Sequence, residues 1–212
     1  MNITEENLRL YAVTDRSWTG TETLYDQVEK ALKGGVTLVQ LREKELPETE
    51  FEQEARALLQ LCHKYNVKLI INDNVELAAR VHADGVHIGQ ADMAIEKARA
   101  ILGKDKIVGV TAKTVSQAKA AEAAGADYLG SGAVFGSGTK KDAKPMEHAR
   151  LQEICESVKI PVVAIGGIDS SNILQLKGRK MAGVAVVSGL FACEDIQKAA
   201  KDLIGKVYQI VR

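Results

Sequence analysis

Short apolar runs alternate with longer amphipathic stretches along the whole chain. The runs cover 8–15, 36–43, 68–74, 85–90, 106–112, 126–132, 161–167 and 183–189. Each is rich in Val, Ile and Leu and bounded by Gly, Asp or Asn, the pattern of a strand buried on both faces. Between the runs, apolar residues recur every three or four positions. Stretch 22–33 sets Leu24, Val28 and Leu32 four apart, and 51–65 puts Phe51, Ala55, Leu58, Leu59 and Cys62 on one face. The same period predicts helices over 95–102, 115–124, 151–158 and 196–210, with shorter ones over 76–82 and 172–177. Glycine recurs at the helix-to-strand joins, as Gly34-Gly35, Gly85, Gly125 and Gly183. A left-handed residue there would close each helix before the next strand.

Strict alternation of strand and helix implies right-handed crossovers and a parallel sheet. Eight such units close naturally into a (β/α)8 TIM barrel, one α/β domain over 1–212, with a doubly wound open sheet as the alternative. A barrel of this kind carries its active site at the carboxyl ends of the strands. The longest irregular stretch, 130–146, is rich in Gly, Ser, Thr and Lys. A loop of that length in a compact domain is usually functional or disordered.

Composition narrows the chemistry. Lys+Arg and Asp+Glu both number 28, so no general excess of positive charge is available for a nucleic acid, and any anion affinity must be local. Hydrophobic residues make up 46% and aromatics 4%, which points to a core of Val, Ile, Leu and Ala. Cys62, Cys155 and Cys193 fit no metal or redox spacing and are expected to be buried or half-buried free thiols in a reducing compartment. The polar segment 1–9 does not resemble a signal peptide, and no apolar run approaches the roughly 20 residues of a membrane span. A cytoplasmic protein with small-molecule partners, no nucleic acid and no membrane is expected. The pattern leaves its oligomeric state open.

Given a barrel, the strand ends are informative. The second ends Gln40-Leu41-Arg42-Glu43-Lys44, and alternation puts Gln40, Arg42 and Lys44 on one side. Two cations and an amide there suit a polyanion, or form a solvated strand end paired with Glu43 or Glu45. The third strand ends Asn72-Asp73-Asn74, and Asp92 follows the fourth. Two carboxylates beside diphosphate oxygens would suit Mg²⁺, although each Asp could instead cap the next helix. The loop Ser137-Gly138-Thr139-Lys140 has the makings of an anion-binding lid but lacks the order of a Walker A loop. Gly167 after the seventh strand and Val187-Ser188-Gly189 after the eighth would let backbone amides approach a phosphate, or would merely turn tightly. The four histidines have no metal or triad spacing and read as structural or exposed, with His87 inside the fourth strand.

In order and together, these strand ends resemble the thiamine-phosphate synthase family. The resemblance runs from Tyr11-Ala12-Val13-Thr14-Asp15 to Val187-Ser188-Gly189, and its most specific pieces are 40–44, 71–74, Gly85-Val86-His87-Ile88-Gly89-Gln90 and 139–142. It implies a magnesium-dependent transferase that joins hydroxymethylpyrimidine diphosphate to thiazole phosphate, giving thiamine phosphate and pyrophosphate. It further implies that Gln40, Arg42, Lys44, Asn72 and Lys140 bind the pyrimidine diphosphate, with Thr111 beside them and Leu41 and Glu43 in the same segment. Asp73 and Asp92 would hold magnesium. Ser137, Gly138, Thr139, Gly167, Val187 and Ser188 would form the thiazole phosphate site. Arg42, Lys44 and Lys140 would carry catalysis, which needs charge stabilisation on the leaving diphosphate and no protein nucleophile.

The chain departs from the family at Thr111, where Ser is usual, at Lys113, where His is usual, and at Gly136-Ser137-Gly138, where Pro and Thr are common. A thiazole tautomerase on the same barrel and a non-catalytic sensor of phosphate ligands are the other readings. The tautomerase is expected to depend on His at the Lys113 position, and the sensor would not need two carboxylates beside a second anion site.

Overall fold

Eight short, buried strands pair in chain order and close on themselves in a computed structural model that describes residues 3–136 and 145–211. They are β1 (Leu10–Val13), β2 (Leu38–Leu41), β3 (Lys68–Asn72), β4 (Gly85–Ile88), β5 (Ile107–Thr111), β6 (Tyr128–Gly132), β7 (Val162–Ile165) and β8 (Gly183–Val186). All pairings are parallel, and β1 closes the ring on β8 with Tyr11 opposite Ala185. That last pairing excludes the open sheet. The strands are shorter than the apolar runs because pairing is confined to the barrel waist, and the chain bends into loops beyond it.

The helices are α1 (Leu24–Lys33), α2 (Glu48–Lys64), α3 (Val75–Arg80), α4 (Ile95–Leu102), α5 (Val115–Ala123), α6 (His148–Ser157), α7 (Ser188–Phe191) and α8 (Ile196–Ile210). Thr23 and Asp26 form a reciprocal capping box on α1, while Thr114 and Asp195 cap α5 and α8. Helix α2 starts earlier than its apolar period suggests, because Pro47 sits at its N-cap and Glu48 and Glu50 favour the positive end of the helix dipole. The helix expected over 172–177 is instead a single 3-10 turn, Ile173–Leu176, with Gly178 left-handed just beyond it.

Two cores follow from the two faces of each strand. Tyr11, Leu38, Ile70, Ile107, Tyr128 and Val163 pack inside the barrel, whereas Val39, Leu69, Val86, Val108 and Leu129 face the helices. Glycine at the joins has two distinct uses. Gly35 and Gly125 are left-handed, as expected, but at two other joins that conformation falls on His82 and Lys180. Gly85 and Gly183 instead open strands where a Cβ would lie 2.2 Å from the Ile107 carbonyl oxygen or 2.0 Å from that of Leu8.

Carboxylates tie the amino-terminal rim together. Asp84 accepts from the Leu69 amide (2.8 Å) and meets His63 (2.9 Å). Asp127 accepts from the Val108 amide (2.7 Å) and from Arg99. Glu122 accepts from the amides of Lys159 (2.6 Å) and Ile160 (3.1 Å). Cys62 is buried and Cys155 half-buried, and burial pushes both thiols up to about 12; Cys193, expected to be at least half-buried, is exposed. Among the described residues, no helix is long and apolar enough to cross a membrane.

Candidate functional site

The carboxyl ends of the strands form the other rim. Alternation turns Gln40 inward on β2, where its amide Nε2 donates to the Tyr11 hydroxyl at 2.6 Å. Leu41 ends the strand and packs in the helix-facing core. Arg42 is held from β1: its backbone N–H donates to Thr14 Oγ1 (3.0 Å) and its guanidinium lies 3.6 Å from Asp15. Glu43 turns away to Arg16, which also reaches Glu54, while Lys44 is exposed. Thr14 and Asp15 are thus part of the Arg42 setting, which the sequence reading missed. Their signal was present: both are polar residues ending an apolar strand.

β3 and β4 deliver the two carboxylates to neighbouring strand ends. Asn72 pairs with His87 across the two strands, and the Asp73 amide donates to the His87 carbonyl at 2.8 Å. Asp73 is left-handed, with φ of 61°, a conformation that costs energy in most residues and that Asp tolerates better than most. Asn72 donates its side-chain amide to Asp73 Oδ2 (2.7 Å). The helix-capping alternative for Asp73 does not hold, because Asn74 caps α3 by accepting from the Leu77 amide. It does not hold for Asp92 either, since α4 begins after Ala94. Asp92 folds back to accept from the Gly89 amide at 2.6 Å, an approach that a Cβ on Gly89 would crowd at 2.8 Å. Among the described residues, no group of three or more His, Cys, Asp or Glu could hold a metal. Magnesium commonly takes only one or two carboxylates with substrate oxygens and water, so Asp73 and Asp92 fit that donor set.

A chain of hydrogen bonds crosses the barrel below this rim. From Gln40 it passes to Tyr11, to Tyr128 (2.7 Å between hydroxyls), to His87 Nδ1 (3.0 Å) and from His87 Nε2 to Thr111 Oγ1 (3.0 Å). Burial pushes the Tyr11 and Tyr128 hydroxyls well above the ordinary phenol value, so both stay protonated. Thr111 ends β5, and Gln90 donates to its carbonyl. Lys113, two residues on, is exposed and lines a cleft of about 320 Å³ with Gly132, Pro145, Met146, Glu147 and Arg150. Ser137, Gly138, Thr139 and Lys140 lie outside the described residues.

β7 and β8 bring backbone rather than charge. Gly166 and Gly167 are both left-handed, and a Cβ on Gly167 would sit 2.8 Å from the Phe135 carbonyl oxygen. Val187 stands at the N-cap of α7, with Ser188 in its first turn. Gly189 lets that turn press against the loop after β7, where a Cβ would meet the Ile168 carbonyl oxygen at 2.3 Å. Gly167, Val187 and Ser188 therefore belong to two loops in direct contact. Trp18 is exposed in a 3-10 turn, Arg16–Trp18, whose terminal carbonyl accepts from Gln27.

Comparison with known proteins points in one direction. Residues 10–190 match the family described as thiamine monophosphate synthase. A thiamine-phosphate synthase of Clostridium novyi (strain NT) is 48% identical over 198 residues, covering 93% of this chain and 97% of its own. One of Clostridium acetobutylicum is 46% identical over 193 residues, covering 91% and 92%. The solved structure of a thiamine phosphate pyrophosphorylase from Pyrococcus furiosus superposes with a TM-score of 0.90 at 38% identity, covering 97% of this chain and 98% of its own.

Proposed function

The chain belongs to the thiamine monophosphate synthase family, and from that premise we propose that it joins hydroxymethylpyrimidine diphosphate to thiazole phosphate, releasing pyrophosphate, with magnesium. It is a transferase of the thiamine-phosphate synthase kind. The observation that carries the finer reading is the order of groups around one rim: Gln40 and Arg42 from β2, Asp73 from β3 and Asp92 after β4, with the glycine loops after β7 and β8 on the same rim. Two anionic substrates need two anion sites, and charged side chains at the ends of β2 to β4 with glycine-rich backbone after β7 and β8 support that reading.

In this reading Arg42, oriented by Asp15 and Thr14, grips diphosphate oxygens, and Lys44 and Lys140 close on the same anion. Asp73 and Asp92 would hold magnesium, which supplies charge compensation to the departing pyrophosphate. The pyrimidine methylene loses diphosphate to leave a ring-stabilised cation, and the thiazole nitrogen bonds to it. Gly167, Val187 and Ser188, with Ser137 and Thr139, keep the thiazole phosphate fixed so that its ring stays within reach. No side chain acts as a nucleophile. Three free thiols and the absence of a membrane-spanning helix among the described residues support a place in the cytoplasm as part of the same proposal.

The test is to mix both substrates with Mg²⁺ and measure pyrophosphate and thiamine phosphate together. Equal release of both is the expected result. Folded protein that releases neither from intact substrates would return the chain to the tautomerase or sensor readings.

A further inference from the structure

The chain from Gln40 to Thr111 joins two residues assigned to the pyrimidine diphosphate site, yet its middle member reaches no substrate. Tyr128 is 0% exposed and its hydroxyl meets only Tyr11 and His87 among the bonds described. Two glycines make room for it and its neighbour. A Cβ on Gly109 would lie 2.1 Å from the Tyr128 ring, and one on Gly130 would lie 3.1 Å from His87 Cε1. A side chain at Gly109 would displace the Tyr128 ring, and one at Gly130 would crowd His87.

A hydroxyl has one proton, so a tyrosine between two partners donates to one and accepts from the other. Gln40 gives an amide hydrogen to Tyr11, and one proton per hydroxyl carries that direction along the chain. Along that direction Tyr11 would donate to Tyr128, Tyr128 would donate to His87 Nδ1, and a neutral His87 would carry its proton on Nε2, toward Thr111. At the ends, Gln40 then offers its carbonyl oxygen to the mouth as an acceptor, and Thr111 offers its hydroxyl proton as a donor. Reversing one end reverses the other.

We propose that Tyr128 is a positioning residue which, through Tyr11 and His87, decides which hydrogen-bonding atom Gln40 and Thr111 each present to the pyrimidine diphosphate. The proposal rests on the synthase reading for its substrate, but the direction of the chain is a property of the free protein. Its members come from β2, β1, β6, β4 and β5, so one orientation is shared around more than half of the ring.

Two measurements test it. The first is the tautomer of His87, read by ¹⁵N NMR on the protein without substrate. The wild type is expected to carry the proton on Nε2. In Gln40→Glu the carboxylate accepts from Tyr11, the direction inverts, and Nδ1 gains a proton two tyrosines away from the substitution. A folded Gln40→Glu protein with Nδ1 still unprotonated, or a wild type already protonated there, overturns the proposal.

The second measurement compares Tyr128→Phe, Tyr11→Phe and the double variant. Each single change is expected to raise KM for the pyrimidine diphosphate roughly tenfold, leaving KM for thiazole phosphate in place, as the loss of one directed hydrogen bond predicts. The double variant should be no worse than either single, because both cut one chain. Equal movement of both KM values, or multiplication of the two effects, would mean that Tyr128 merely fills space. If Tyr128→Phe does not fold, the Gln40→Glu tautomer decides alone. Failure of the wild type to make thiamine phosphate would remove the synthase reading while leaving the tautomer result standing.

Discussion

The two rims of this barrel use the same residue types for opposite purposes. At the amino-terminal rim, Asp84, Asp127 and Glu122 each accept backbone amide hydrogens, those of Asp84 and Asp127 coming from strands β3 and β5. At the carboxyl rim, Asp92 accepts from the Gly89 amide, Asp73 accepts from the Asn72 side chain in a left-handed conformation, and both are exposed. A carboxylate bound by strand amides stabilises the fold, because removing it leaves buried N–H groups unsatisfied. A carboxylate at the open rim is instead held by a side chain or a turn and faces solvent, the setting that the proposed magnesium site needs. The difference is one of setting: one residue type serves strand amides at the closed rim and stands exposed at the open one.

The largest expected effect falls on the open rim. Asp73→Asn and Asp92→Asn should each lower turnover on the order of a hundredfold or more, with the melting temperature little changed, since charge compensation for the leaving group is lost while the strands stay paired. Steady-state assays across a magnesium titration, beside thermal melts, check this. Unchanged activity in both variants at limiting metal would erase the contrast between the rims.

Lys140→Ala comes next, with a loss of roughly a hundredfold in the chemical step that exceeds any weakening of thiazole phosphate binding. Single-turnover kinetics give the two quantities separately, and the reverse order would move Lys140 to the other substrate. On the closed rim, Asp127→Ala should cost about 2 kcal/mol by stranding the Val108 amide, lowering the melting temperature by about 4–8 °C for a chain of this size. Its kcat should stay near that of the wild type. A variant that lost activity while keeping its melting temperature would show that the amino-terminal rim reaches the site. The smallest effect belongs to Ser188→Ala, a few-fold rise in KM for thiazole phosphate alone, because neighbouring backbone donors remain.

The barrel was legible because its signals are local and periodic. The eight apolar runs each contain one strand, and the helical stretches end near their caps. What the pattern could not separate was a glycine that bends the chain from a glycine that makes room. Gly35 and Gly85 look alike in sequence, but only the first is left-handed, and the second answers to Ile107 on the next strand. The rim was legible as a set of strand ends, and less so as a set of partners. Spacing sets Arg42 on the side of Gln40, but the hold of Asp15 on it comes from the neighbouring strand and could not be read from spacing. The bond between the Tyr11 and Tyr128 hydroxyls left no local signal, because it joins residues 117 positions apart in the chain. His87, read as structural or exposed, is half-buried and links Tyr128 to Thr111.

Gly109 has one more consequence, for divergence among relatives. The hydrogen atom at its α-carbon and the ring of Tyr128 occupy a single allotment of volume on adjacent strands. A relative that gains a methyl group at the first position must shrink at the second, so the two sites should drift as a correlated pair. Lineages in which both are bulky should not exist, and any that lack the ring should be free to fill the other side.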